Sequence, residues 1–424
     1  MTRTRRCTAA LATAALTVAV AASALVGCSS SSSDGGTSTT VAGTPTSTKG
    51  TQAARAEAFS GDIDAFYAKA QEPAPDVPPG TLLRYAPMAN YGFDGATAYR
   101  IAYTSESLTG KAIVETGVGG VPDAAAPEGG RPMITVVHGT TGIGDDCAPS
   151  KHPKATELTL VGGKLASRFL IAATDYEGIG TPGRHPYLVG ESEGRSGIDA
   201  LLAAGQLPNA HPGTRFVIAG YSQGGHAALW TSQVAAEWAP DLEVVGTFAG
   251  APASEVGILL KAAAKVKGFA LMVVAGLAAA HPDADLSKVL TPKGQELLDV
   301  VDEPGCAPHV FTAAGDLDGK DIFVAGGADR PPWSDLAAAQ DAGQEKANDA
   351  PTLLIHSTGD GTVPTFFVDA VQARMCGNGQ VVERQEIDAG GHGEAAPKAY
   401  DIAVPWLEAR FAKSQPDVQD SCGS

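Results

Sequence analysis

The chain has 424 residues, 44% of them hydrophobic and 18% charged, with a formal net charge of −17. That length and apolar content support a sizeable core in one large domain or two ordinary ones. The acidic balance argues against a nucleic-acid partner, because phosphate recognition needs clustered lysine and arginine.

The opening stretch "MTRTRRCTAALATAALTVAVAASALVGC" starts with Arg3, Arg5 and Arg6, continues as an apolar run and closes on small residues. This is the layout of a secretory signal peptide. Its end, Leu25-Val26-Gly27-Cys28, has the form of a bacterial lipoprotein box, in which cleavage frees the cysteine to carry lipid. Residues 1–27 are therefore expected to be a leader and Cys28 a membrane anchor, with the protein exported to the cell envelope or secreted. Residues 28–57 are rich in Ser, Thr and Gly and too poor in bulky apolar side chains to order themselves. They are expected to tether a globular domain spanning 58–424. Cys7 leaves with the leader. Cys147, Cys306, Cys376 and Cys422 remain, outside any CxxC or Cys/His metal spacing. Two disulfides are expected, with three pairings open.

From residue 92 short β-branched runs alternate with helical stretches. "TAYRIAYTSES" and "GKAIVETGVG" read as an antiparallel pair. "MITVVHG" (133–139), "FLIAATDYEG" (169–178), "RFVIAGYS" (215–222), "LEVVGTFAG" (242–250), "PTLLIHSTGD" (351–360) and "QVVERQEIDAGGH" (380–392) follow. Several are continuous apolar runs ending in Gly, Ser or Asp, as parallel strands buried on both faces do. Helical candidates lie between them: "LTLVGGKLASRF", "GRSGIDALLAAGQL", "GGHAALWTSQVAAEWA" and, near the end, "AYDIAVPWLEARFA". This alternation predicts an α/β fold with a mainly parallel sheet. Residues 252–345 break the pattern with apolar helical sequence. Lys261, Lys265, Lys267 and Gly268 interrupt it too often for a membrane span, so an inserted helical lid or cap is expected.

Two serines match Gly-x-Ser-x-Gly. Ser222, in "GYSQG", follows a buried strand, is flanked by Gly220 and Gly224, and precedes a helix. That is the context a nucleophile elbow needs. Ser192, in "GESEG", follows no apolar strand, and Glu191 and Glu193 beside it would repel a forming oxyanion. It reads instead as the cap of a helix beginning near Arg195.

A serine hydroxyl needs a base, and the base needs an orienting acid. In α/β-hydrolases the chain order is Ser, Asp or Glu, then His. His392, in the glycine-rich "DAGGHGE", is the one histidine after the strand ending at 360, and Asp360 lies just past that strand. Asp388 competes as the acid but stands only four residues from His392. His226 and His356 read as core or supporting residues. The oxyanion hole needs two backbone donors. One is the N–H of Gln223, and the other comes from the loop after "MITVVHGTTG", from Thr140 or Thr141, with Thr141 favoured. "GDLDGKDIF" lacks proper calcium-loop spacing, and no HExxH, Walker loop or dinucleotide fingerprint occurs, so no metal or cofactor is expected.

Taken in order, "HGTTG…DCAPS", "TDYEGIGTPG", "GYSQGG", "STGDGTVP" and "GGHGE" resemble the secretory lipase family of Candida antarctica lipase A-like α/β-hydrolases, over roughly residues 75–422. The resemblance implies an α/β-hydrolase fold, a Ser222–Asp360–His392 triad and a helical lid inserted before the acid. It also implies disulfides joining Cys147 to Cys306 and Cys376 to Cys422. Where the family's yeast member carries an oxyanion-hole aspartate, this chain has Thr141. The function expected is a monomeric serine esterase or lipase acting on small-molecule or lipid esters, with membrane contact through a lipid anchor on Cys28. A serine peptidase on the same fold is the alternative, and a non-catalytic surface-binding lipoprotein is the next.

Overall fold

Ten strands form one sheet among the described residues of the computed structural model, which are 56–89, 91–152, 156–412 and 417–423. The expected leader, Cys28 and nearly all of the tether lie outside these residues. The strands are β1 (Glu57–Ala58), β2 (Leu82–Met88), β3 (Ala96–Glu106), β4 (Ala112–Pro122), β5 (Arg131–Val137), β6 (Leu170–Thr174), β7 (Pro212–Tyr221), β8 (Glu243–Gly250), β9 (Thr352–Ser357) and β10 (Val382–Ile387). Their order across the sheet is β1-β2-β3-β4-β6-β5-β7-β8-β9-β10. β2, β3, β4 and β6 pair antiparallel in turn, whereas β6, β5, β7, β8, β9 and β10 run parallel. Each apolar run read from the sequence is one of these strands. β2 was not expected, since Arg84 and Pro87 interrupt its apolar pattern.

The strands bury both faces because their residues alternate sides. On β7, Phe216 and Ile218 join one apolar layer, while Val217 and Ala219 join the other. The first layer is completed by α1 (Ile63–Ala70), α3 (Gly190–Ala204), α4 (Gln223–Trp238) and α12 (Thr365–Gly377). The second is completed by α2 (Thr156–Leu165) and α13 (His392–Ala409). This mostly parallel sheet between helical layers is the α/β-hydrolase fold.

Two helix starts differ from the sequence reading. α3 begins at Gly190 rather than near Arg195, so Ser192 sits inside its first turn and does not cap it. Its hydroxyl donates to Glu177 Oε2 at 2.6 Å instead of accepting a helix amide. α13 begins at His392, seven residues before its apolar periodicity starts, because Glu394 accepts a bond from the Gly391 amide at 3.0 Å and caps the helix early.

Between β8 and β9 runs a series of short helices: α5 (Val256–Lys261), α6 (Lys267–Ala280), α7 (Pro292–Glu296), α8 (Leu298–Asp302), α9 (Ala307–Gly315), α10 (Gly319–Ile322) and α11 (Trp333–Ala338). They bury a third apolar cluster, centred on Ala270–Leu277 of α6, together with Tyr187, Leu188 and Val189. α6 is apolar nearly all round because it is packed on nearly all sides. No helix among the described residues is long and apolar enough to cross a membrane. One disulfide, Cys147–Cys306, ties this segment to the loop after β5, and Cys376–Cys422 ties α12 to the C-terminal residues.

Candidate active site

The C-terminal ends of β5, β6, β7 and β9 converge on one edge of the sheet, where α/β folds place their ligands. Ser222 stands there, between the end of β7 and the start of α4. Its backbone lies at φ 63° and ψ −121°, a conformation that costs a non-glycine residue roughly 1–3 kcal/mol. The surroundings hold it there: the Ser222 amide donates to Gly250 O at 2.9 Å, and Ser222 O accepts from Ala253 and His226. The turn is too tight for side chains beside it. A Cβ on Gly220 would lie 2.0 Å from Gly224 O, and one on Gly224 would lie 2.1 Å from Val137 O.

Asp360 follows β9 in a turn and is buried. Its Oδ1 accepts from the amides of Thr362 and Val363, both at 2.9 Å. Its Oδ2 accepts from His392 Nδ1 at 2.6 Å. Burial opposes ionisation, but the His392 bond, the two amides and the imidazole's charge outweigh it and hold the carboxyl below its ordinary range. With Nδ1–H committed to Asp360, Nε2 of His392 is the nitrogen left to accept a proton. Tyr221 fixes the histidine from below by donating to His392 O at 2.9 Å. Ser222 and His392 line the same cavity, though no hydrogen bond joins hydroxyl to imidazole among the described residues in this conformation.

That cavity, of about 690 Å³, is walled by Val118, Val136, Leu158, Leu160, Phe269 and Phe311. The last two come from α6 and α9, and their rings pack at 4.7 Å. Gln223 is the first residue of α4, so the helix itself leaves its amide without a partner. Thr140 and Thr141 line the cavity. The Thr140 hydroxyl bonds Tyr187 at 2.7 Å, while the buried Thr141 hydroxyl has no partner among the described residues. The Thr141 carbonyl accepts from Ala307 at 2.9 Å, and Gly142 bridges Cys306, so the loop is pinned beside the Cys147–Cys306 disulfide.

Beneath the elbow lies a polar layer that sequence reasoning missed. Glu193, fully buried, accepts from the Gln223 side chain at 2.8 Å, the Leu188 amide at 3.2 Å and His226 Nδ1 at 2.7 Å. His226 reaches Gln340 O with its other nitrogen, so it supports the elbow helix as a core residue. The "GESEG" decoy therefore places Glu193 behind Gln223, a location no local pattern could reveal. His138 and His185 stand nearby, and burial holds both below the usual imidazole range, His185 to about 3. His356 is buried, and neither ring nitrogen has a hydrogen bond among the described residues. No group of metal-ligating side chains is found among the described residues.

The profile of the family described as secretory lipase matches residues 152–419. Lipase A of Moesziomyces aphidis is 26% identical over 234 residues, 51% of this chain and 49% of that protein. The alignment thus spans about half the length of that relative. A probable inactive lipase of Mycobacterium tuberculosis (strain CDC 1551 / Oshkosh) is 25% identical over 367 residues, 79% of each chain. Among solved structures, Candida antarctica lipase A superposes with a TM-score of 0.70 at 20% identity, covering 84% of this chain and 88% of that one.

Proposed function

The chain belongs to the secretory lipase family, and from that premise we propose that it is an exported serine esterase or lipase using Ser222, His392 and Asp360. The observation that carries this is the 2.6 Å bond from His392 to Asp360 at the rim of an apolar cavity that also holds Ser222 on its strained turn. His392 Nε2 takes the Ser222 proton as Oγ attacks the ester carbonyl carbon. The carbonyl electrons move onto oxygen, which the Gln223 and Thr141 amides stabilise; one such donor contributes about 10²–10³ in rate. Collapse breaks the bond to the alcohol, and His392 returns its proton to the leaving oxygen. Water then repeats the sequence on the acyl-enzyme and releases the acid.

The apolar walls suit a fatty acyl group, and the helical segment 252–345, which supplies Phe269 and Phe311, serves as the lid or cap that sets acyl preference. Removal of residues 1–27, a lipid on Cys28 and a tether over 28–57 would place a monomeric domain at the cell envelope. The test is a p-nitrophenyl ester series from C2 to C16 with wild type and Ser222→Ala. Turnover should vanish in a folded Ser222→Ala protein; retention of full turnover would defeat the proposal. Because one relative is named inactive, labelling of wild type by a fluorophosphonate is a second check, and no labelling favours a non-catalytic role.

A further inference from the structure

A second carboxyl faces the nucleophile, and the triad does not use it. Glu157, in the first turn of α2, lines the same cavity as Ser222 and His392. Both of its oxygens accept from the Gly139 amide, at 3.1 and 3.0 Å, and the Tyr400 hydroxyl lies 3.4 Å from Oε2. Gly139 opens the loop that carries Thr140 and Thr141. A Cβ on Gly139 would lie 2.7 Å from Glu157 Oε1 and 3.7 Å from Ser222 Cβ. Carboxyl and nucleophile therefore approach one another across a bare glycine.

The titratable groups around Glu157 are His392 and Tyr400 on α13, Tyr221 on β7, His138 after β5, Asp175 and Tyr176 after β6, and His152 at the cavity rim. No lysine or arginine lines the cavity, and Glu157 has no ion pair among the described residues. A carboxylate in apolar surroundings without a cation is disfavoured, so the group neutralises instead.

We propose that Glu157 is a positioning residue of the ester hydrolysis proposed above, on which this inference rests: as a neutral acid it holds the Gly139 amide and so the oxyanion loop, and on ionising it disarms the site. Burial lifts its carboxyl to about 8, with the Gly139 and Tyr400 bonds opposing only in part. Below that pH the acid is neutral and the loop faces no added charge. Above it, a negative charge stands in the cavity where the oxyanion forms, and like charges sharing that apolar space slow the reaction about tenfold or more.

The experiment measures kcat and KM for p-nitrophenyl butyrate from pH 6 to 10, corrected for spontaneous hydrolysis and nitrophenol ionisation. It uses wild type, Glu157→Gln, Glu157→Leu and Ser222→Ala, each checked for folding by circular dichroism. Wild-type kcat should fall as pH rises through about 8, with KM changing little. Glu157→Gln keeps an acceptor for Gly139 without a titrating proton, so it should stay within about threefold of wild type at neutral pH and lack that fall. Folded Glu157→Leu, which has no acceptor, should lose about tenfold or more in kcat at every pH. Superposable wild-type and Glu157→Gln profiles overturn the proposal, as does a folded Glu157→Leu protein as active as Glu157→Gln. If Ser222→Ala is inactive in that case, the esterase reading stands without it. A Ser222→Ala protein that turns over normally overturns both.

Discussion

Replacing Asp360 by Asn tests the orientation of the imidazole in the proposed triad most directly. The change is isosteric, and the structure dictates which way the new amide points. Asp360 Oδ1 accepts two backbone amides, from Thr362 and Val363, whereas Oδ2 accepts one bond from His392. An Asn carbonyl placed at Oδ1 keeps both amide bonds. The flipped rotamer aims an NH2 group at two N–H donors, leaving both unsatisfied at about 1–3 kcal/mol each. The amide nitrogen therefore faces His392 Nδ1, which must accept, and the imidazole proton moves to Nε2. A base protonated at Nε2 cannot take the Ser222 proton. In a serine protease the equivalent change of tautomer lowers kcat about 10⁴-fold, which corresponds to roughly 5 kcal/mol. Steady-state hydrolysis of p-nitrophenyl butyrate at pH 7 should show a loss near this size with KM little changed. A folded Asp360→Asn protein within tenfold of wild-type kcat would refute the reasoning.

Two predictions concern stability. Cys147 and Cys306 are separated by 159 residues in sequence and join the loop after β5 to the helical segment. Replacing both by Ala should lower stability by about 2–5 kcal/mol, read by chemical denaturation; unchanged stability would mean that the other loop contacts suffice. Asp199 is buried, and burial lifts its carboxyl to about 7 against bonds from Ser105 and Trp238. A raised folded-state pKa means the native state binds the extra proton, so this stabilising contribution is present below about 4 and is lost as pH rises through about 7. Melting temperature should decline over that window in wild type and decline less in Asp199→Asn; parallel curves would show that Asp199 is not responsible.

The sequence alone determined eight of the ten strands, β3 to β10, since runs of apolar and β-branched residues report local burial directly. It also singled out Ser222, because the elbow is a local arrangement in which glycines, strand and helix lie within a dozen residues. Asp360 and His392 were legible as candidates from chain order and from their places after strands. Only the tertiary structure decided which groups meet. Sheet order places β5 between β6 and β7, and the C-terminal strand ends then gather loops far apart in sequence. That gathering brings His392 to Asp360, Cys147 to Cys306, Glu193 beneath Gln223 and Glu157 to the amide of Gly139. Ser192 was misread as a helix cap, and the place of Glu193 behind Gln223 was not foreseen at all. Periodicity reports whether a residue is buried, whereas its partner is set by packing between elements that share no local signal.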